Sequence, residues 1–369
     1  MHHSQTKHPG RPLYVALIAL AALLGFAISF TAVTIYHMDS SIQSLDVSGY
    51  VDEQPASQPE KIEPIIAETP EDLYPVDEIS DGDLNYLLLG SDSREGDNSA
   101  FSSDEVDSQR SDVTLIIHVS ADRSRIDVVS IPRDIIVDIP ECVMSDGTTR
   151  SALTNGQFNA AFSRGDTLAS SIGCTIRTVQ STTGVEIDGF AVIDFESFVK
   201  VIDGLGGVTI DVPEDMVAAK AKLNVKEGEQ NLDGVTALAY ARARTFEVGS
   251  SQGSDLERIE RQQQIMEAIS DKVLSSGTLA NPASLYALIK NTTDSVTVSE
   301  DIDTVREIAS LGYSLRNVTD VNFMTSPAAP WSQNRNRLIW TDEAYVYWDK
   351  IISDEPLTQD ESPEIVISP

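Results

Sequence analysis

Histidine is nearly missing from the part of this chain that reads as folded. His2, His3, His8 and His37 lie within the first 37 residues, and only His118 falls beyond them. It sits inside the apolar run "DVTLIIHVS", where a satisfied structural histidine is the expected role. That scarcity excludes a Ser-His-Asp or Cys-His nucleophilic site and a histidine-rich zinc site. G-x-S-x-G, H-E-x-x-H, a P-loop and G-x-G-x-x-G are also absent, which removes the common hydrolase, metalloprotease and nucleotide-binding templates. Positive charge is scarce: 26 Lys plus Arg stand against 58 Asp plus Glu, a formal net charge of −32. A nucleic-acid partner needs a basic face to displace counterions, so none is expected. Cysteine occurs only twice, at Cys142 and Cys174. An even pair in an oxidising compartment reads as a disulfide; two buried free thiols are the alternative, because sequence alone does not show that the pair can meet.

What the chain does contain begins with Leu13 to Ile35, 23 residues without a charge. As a helix this run crosses a ~30 Å hydrocarbon core. Lys7 and Arg11 precede it and no acid occurs before Asp39. The positive-inside rule therefore puts residues 1–12 in the cytoplasm and the rest outside the cell. A cleaved signal peptide is the alternative, but its apolar core usually runs ~7–15 residues before a small-residue cleavage site. A retained anchor over 13–35 fits better. Residues 36–82 hold twelve acids, with prolines at 55, 59, 64, 70 and 75, the composition of an extended, self-repelling stalk. The folded unit is expected over 83–348, and the acidic, proline-punctuated stretch 349–369 is expected to be a disordered tail.

Hydrophobic content of 41% is enough for a core within that unit. "LNYLLLG" (84–90), "DVTLIIHVS" (112–120), "RIDVVSIP" (125–132) and "GFAVIDF" (189–195) are short and nearly continuously apolar, as strands covered on both faces are. In "FESFVKVIDGLGG", Phe195, Phe198, Val199 and Ile202 recur at i, i+3, i+4 and i+7, with Gly204 as the expected stop. "LDGVTALAYARAR", "DLERIERQQQIMEAISDKVLSS", "NPASLYALIK" and "DIDTVREIASLGYSLR" read as further helices. Strands and helices in mixed order give an α/β fold, a layered α-β-α sandwich with a mixed central sheet, without internal repeats.

In so acidic a chain, "LAYARARTFEVGSSQGSDLERIERQQQ" (238–264) gathers Arg242, Arg244, Arg258 and Arg261 around a Gly/Ser-rich loop. Arg242 and Arg244 point the same way if the chain is extended there, and Asp255 suits the cap of the next helix. Arg258 and Gln262, at i and i+4, share a helix face from which Arg261 turns away. Upstream, "SIPRD" puts Arg133 just past a strand end and "QRSD" puts Arg110 and Asp112 at a strand start. "LLLGSDSR" puts Asp92 and Arg94 just after another strand, where α/β sheets carry their sites. Guanidinium forks match phosphate oxygens, and several together suit a pyrophosphate. Carboxylates at strand ends suit a hard cation such as Mg²⁺. Taken singly, each arginine is as well read as a surface ion pair worth ~0–1 kcal/mol. Their gathering at element ends favours the anion site.

With these residues in view the chain resembles the LytR–CpsA–Psr family of membrane-anchored wall glycopolymer transferases of Gram-positive bacteria. The resemblance covers about 83–275 and rests on "LLLGSDSR", "RSDVTLIIHV", "DVVSIPRDIIVDIP", "FNAAFSRG", "TTGVEIDGFAVIDFESFVKVIDGLGGVTIDVP", "LDGVTALAYARAR" and "SDLERIERQQQIM" in order. It implies an undecaprenyl-pyrophosphate-linked glycopolymer donor, with its prenyl chain in an apolar tunnel between sheet and helices. Peptidoglycan is the implied acceptor, and a phosphodiester to N-acetylmuramic acid the product. It implies further that Arg110, Arg133, Arg242, Arg244, Arg258 and Gln262 hold the pyrophosphate. Asp92, Asp112 and Asp255 would hold Mg²⁺ or Mn²⁺, while Arg244, Arg133, Asp112 and Asp92 would carry the chemistry. Some relatives also place cysteines where Cys142 and Cys174 stand, and are membrane proteins with the catalytic domain outside the cell. Two departures are visible: Gln157 stands where many members have a basic residue, and Val137 where some have a second arginine, with Arg164 a candidate replacement. A pyrophosphate hydrolase and a non-catalytic lipid-binding envelope regulator are the rival readings.

Overall fold

A computed structural model describes residues 42–51, 82–91, 111–249, 255–275 and 296–357. The apolar runs pair into one seven-stranded mixed sheet. Its strands are β1 (Gln43–Ser44), β2 (Leu84–Ser91), β3 (Ser111–Val119), β4 (Arg125–Ser130), β5 (Gly189–Ile193), β6 (Val296–Val298) and β7 (Asp320–Thr325). The helices are α1 (Leu168–Thr183), α2 (Phe195–Gly204), α3 (Gly234–Arg242), α4 (Asp255–Ser275), α5 (Val305–Ser314) and α6 (Asp342–Ile352). Across the sheet the order is β1-β6-β5-β2-β3-β4-β7. β2 runs parallel to β5 and antiparallel to β3, and β4 runs parallel to β7.

Register sorts the apolar residues into two unequal faces. Leu87 pairs with Ile116 and Phe190, and Leu89 with Val192, so these side chains share one face. Leu87, Leu89, Ile116 and Val129 are fully buried there. Ile172, Ile176 and Val179 of α1 and Tyr347, Trp348 and Ile351 of α6 belong to the same cluster. Each such side chain contributes about 1.5–3 kcal/mol by leaving water. The opposite face carries Tyr86, Leu88, Val113, Ile117, Ala191 and Ile193, all only half-buried. A second core joins α2 and α3 to two antiparallel ribbons, Val208–Val212 with Gly228–Leu232 and Met216–Ala218 with Leu223–Val225, and takes in Ile265 of α4.

Helix α1 was not legible in the sequence. "LASSIGCTIRTVQSTT" is rich in residues of weak helix propensity, but the ends are well closed. Thr167 forms a capping box with Ser170, and Gly184 supplies the left-handed cap at φ 76°. Within the helix the hydroxyls of Thr175, Thr178 and Thr183 bond back to carbonyls four residues earlier, at 2.7–2.8 Å. Helix α2 is capped by Asp194, whose carboxylate accepts from the Ser197 amide. It runs through Gly204, and the positive φ values that turn the chain belong instead to Gly206 (78°) and Gly207 (86°).

Two expected boundaries move. Residues 42–51, assigned to the stalk, lie on the folded unit: Gln43–Ser44 pairs with β6, and Leu45, Val47 and Val51 pack on the main core. At the other end the folded unit passes residue 348, since Ile351 and Leu357 are buried in that core. The expected anchor over 13–35 and the helix expected over 281–290 lie outside the described residues. No helix among the described residues is long and apolar enough to cross a membrane. The cysteine pair is bonded: Cys142 and Cys174, with Cα atoms 5.0 Å apart, tie the short Cys142–Val143 strand to α1.

Candidate functional site

Four parallel strands, β2, β4, β5 and β7, end on the same side of the sheet, and β3 begins there. Ser91, the last residue of β2, pairs with Ser111 across a bulge at Gly90/Ser91. Asp112 follows Ser111 in β3, and Asp92 follows Ser91 in the chain. The side chain of Asp112 and the whole of Asp92, Arg94 and Arg110 lie outside the described residues. Asp255 opens α4, and its side chain is likewise not described.

Past the end of β4, the Ile131 amide donates to the Thr114 carbonyl, which holds the "SIPRD" turn against the start of β3. Arg133 is half-buried, with Nε 3.4 Å from Asp134 Oδ2. Asp134 is shared: its Oδ1 accepts from Gln157 Nε2 at 2.7 Å and from Arg337 Nη1 at 3.0 Å. Gln157 and Val137 therefore have defined places. Gln157 braces the Asp134 carboxylate, and Val137 is buried opposite Gly156. The cation beside Arg133 is Arg337, from the ribbon Ala328–Trp331 with Asn334–Trp340, which the sequence reading did not single out. Arg164 donates instead to the Ser151 carbonyl, and burial followed by the charge of Arg150 lowers its pKa.

Past the end of β5, Phe195 begins α2, and the Arg242 guanidinium lies over its ring at 4.1 Å. Arg242 is the last residue of α3, and Ala243 after it is extended at ψ 127°. Arg244 is exposed. Helix α4 arrives at the same end of the sheet, where Gln263 Nε2 donates to Thr325 Oγ1 at 3.0 Å at the end of β7. Arg258 and Gln262 lie on this first half of α4, with Arg258 buried at 7% exposure and Gln262 half-buried.

Arg261, placed by the helix spacing off the face of Arg258 and Gln262, is buried at 5% exposure. Its Nε donates to the Tyr240 carbonyl at 3.2 Å and Nη2 to the Ala243 carbonyl, while its guanidinium lies 5.0 Å from the Phe246 ring centre. Burial lowers its pKa, opposed by Tyr240 and by the carboxylates of Glu257 and Glu260. Beside it, the Tyr240 hydroxyl donates to Gln264 Oε1 at 2.8 Å, and burial raises the Tyr240 pKa. The first half of α4 is thus buried on more than one side, with Arg258 and Arg261 both buried.

Other chemistry-bearing places are separate. His118 has no exposed surface, and its ring nitrogens lie 2.9 Å from Asn85 Oδ1 and 3.0 Å from Asp354 Oδ1. It is the satisfied structural histidine expected. A polar cleft of about 350 Å³ lies among Asp203, Asn224, Lys226, Gln230, Asn231, Asp233 and neighbours. It opens beside the N-terminal end of α3, and at 1.5 Å per residue that end is roughly 13 Å from Arg242. Among the described residues no group of three or more His, Cys, Asp or Glu could hold a metal.

The fold and site together define an α/β domain with a guanidinium-lined end of a mixed sheet, suited to a multiply charged anion. The chain belongs to the LytR_cpsA_psr family, whose model matches residues 51–352. The cell wall biosynthesis protein LcpA of Corynebacterium glutamicum is 32% identical over 271 residues, 67% of this chain and 50% of its own length. The polyisoprenyl-teichoic acid–peptidoglycan teichoic acid transferase TagV of Bacillus subtilis is 32% identical over 176 residues, 46% of this chain and 41% of its own. A structure of TagT bound to LI-WTA shares the fold at a TM-score of 0.51 and 20% identity, covering 75% of this chain and 93% of that one. The chain spans about half the length of the curated relatives it matches.

Proposed function

We propose that this protein moves a glycopolymer phosphate from an undecaprenyl-pyrophosphate carrier onto N-acetylmuramic acid of peptidoglycan. The observation that carries the reading is the arrangement at one sheet end. Arg133 with Arg337 lies past the end of β4, Arg242 on Phe195 lies past the end of β5, and α4, which carries Arg258 and Gln262, reaches the end of β7 through Gln263. The half-buried apolar face with Tyr86, Leu88, Val113, Ile117, Ala191 and Ile193 leads to that end and suits a prenyl chain. An anchor over 13–35 would hold the site outside the cell, close to the lipid carrier.

In the reaction the muramyl hydroxyl oxygen bonds to the sugar-proximal phosphorus, and the bond from that phosphorus to the bridging oxygen breaks. Undecaprenyl phosphate leaves with the bond's electron pair. The hydroxyl proton passes to a carboxylate, Asp112 or Asp92, at the adjoining ends of β3 and β2. Arg133, Arg242, Arg244 and Arg258 bind the phosphate oxygens and stabilise the charge that develops on them. Asp92, Asp112 and Asp255 are the residues that would hold Mg²⁺ or Mn²⁺. Such a cation supplies charge neutralisation at the phosphate oxygens. Asp112 stands one residue from the Ser91–Ser111 pair, a position that fits this set.

The test is a transfer assay with the full chain, a lipid-pyrophosphate oligosaccharide, an uncross-linked peptidoglycan oligomer and Mg²⁺, with Arg244→Ala in parallel. A phosphodiester-linked product that disappears in the variant is expected. Released lipid phosphate without a joined product would overturn transfer in favour of hydrolysis. Donor binding without turnover would favour a regulator.

A further inference from the structure

We infer that Arg261 is a positioning residue: one guanidinium clamps the backbone on both sides of Arg242 and Arg244 and so aims them at the donor's phosphates. The functional half of this inference rests on the reading above; the mechanical half stands on geometry alone. Helix α3 ends without a glycine or a left-handed cap, because Ala243 takes φ −59° and ψ 127°. The last carbonyls of a helix lack partners within it, and buried ones need a donor from elsewhere. Arg261 is that donor for Tyr240 within the last turn, and it also holds the Ala243 carbonyl just beyond. Three residues further on it stacks against Phe246.

The points held are thus residues 240, 243 and 246, with Arg242 and Arg244 between them. The guanidinium is itself 5% exposed, in a helix that Gln263 ties to Thr325. The clamp therefore links the arginine segment to the sheet end where Arg133 emerges. Only a planar fork reaches two carbonyls and a ring at once. A lysine ammonium would keep the charge and serve one carbonyl. A displacement of about 1 Å at reacting groups costs on the order of 10² in rate. Loosening this segment is expected to be expensive for catalysis while leaving most of the fold intact.

The experiment compares wild type, Arg261→Lys, Phe246→Leu, Arg244→Ala and the pairing of Arg261→Lys with Arg244→Ala, all in the full chain. Hydrogen exchange reads the clamp directly at the Ala243 and Glu247 amides, which bond to the Ala239 and Val217 carbonyls at 3.0 and 2.8 Å. Both amides should exchange at least tenfold faster in Arg261→Lys, with α1 and β2 unchanged. Phe246→Leu, which removes a half-buried ring, should do the same more weakly and serves if the lysine variant does not fold. Transfer should fall tenfold to hundredfold in Arg261→Lys. The double variant should lose less than the product of the two single losses, since the part of the clamp's effect that runs through Arg244 is gone once Arg244 is gone and only the part through Arg242 remains. Unchanged exchange at 243 and 247, or losses that multiply in the double variant, would overturn the inference. If wild type itself transfers nothing, the proposed reaction fails, and faster exchange at 243 and 247 would still establish the clamp.

Discussion

Arg244→Lys separates charge from shape at the place where both matter. The Arg244 side chain is exposed and directly follows Ala243, the residue whose carbonyl Arg261 holds. An exposed side chain of this kind contributes little to folding, so the substitution should change stability by no more than about 0.5 kcal/mol. Lysine keeps the positive charge that draws the donor to the site, so KM should rise only a few-fold. The two-pronged contact to a phosphate is lost, and that contact strengthens as charge builds in the transition state. Deleting one such donor costs about 10²–10³ in kcat, or ~2.7–4 kcal/mol of activation free energy. The energetic effect on turnover should thus exceed that on stability by about fivefold or more. Initial rates of phosphodiester formation at several donor concentrations, beside thermal unfolding of the same preparations, read both numbers. A lysine variant within twofold of wild-type kcat would refute the role assigned to Arg244. A large fall in unfolding temperature would refute the claim that its loss is local.

Three other outcomes are expected. Arg337→Gln removes one of two guanidiniums beside Asp134; the pair is partly exposed, so stability should fall by at most ~1 kcal/mol, while donor affinity, read by titration with undecaprenyl pyrophosphate, should drop about tenfold as charge at the site is lost. Serine at both Cys142 and Cys174 opens a link across 32 residues and should cost about 2–4 kcal/mol of stability in denaturant unfolding, with kcat retained in molecules that stay folded. Burial, then the charges of Asp83, Asp301 and Glu186, raises the Asp188 pKa; a raised folded value adds stability below the ordinary carboxylate pKa of about 4 and loses it as pH rises through the folded value, so Asp188→Asn, which keeps an acceptor for the Asn85 amide, should stabilise the protein at pH 7 and not at pH 3, and equal shifts in unfolding temperature at the two pH values would contradict this.

What was legible in the sequence was whatever depends on near neighbours. The apolar runs at 84–90, 112–120, 125–132 and 189–195 became β2 to β5 with ends close to those expected. Residues just past strand ends, such as Arg133, could therefore be placed. Helix α1 was hidden because its stability lies in capping and burial rather than in its Ser- and Thr-rich composition. The 42–51 segment was hidden in the same way. Its acidic, polar surroundings read as stalk, yet Leu45, Val47 and Val51 find a core made by distant residues. Arg337 meets Asp134 across a separation of 203 residues, which no local pattern encodes. The surroundings of Arg261 could not be read locally, because they are made by α3 and the sheet between which α4 begins.

The charge puzzle resolves through the same geometry. A chain of net charge −32 should repel a pyrophosphate if its acids were spread evenly. Some of the acids lie at the end of the sheet away from the arginines. Asp188 accepts from the Asn85 amide, and Asp301 accepts from the Tyr86 hydroxyl at 3.1 Å, both at the start of β2. The arginines gather where β2 ends. From Tyr86 to Ser91 is five residues of strand, roughly 17 Å, about two Debye lengths at physiological ionic strength. Those two acids are therefore largely screened from the arginines. Asp134, which lies against Arg133, is itself flanked by two guanidiniums. Net charge is thus a poor guide to what this protein binds, and the sign of the field at one end of the sheet is the better one.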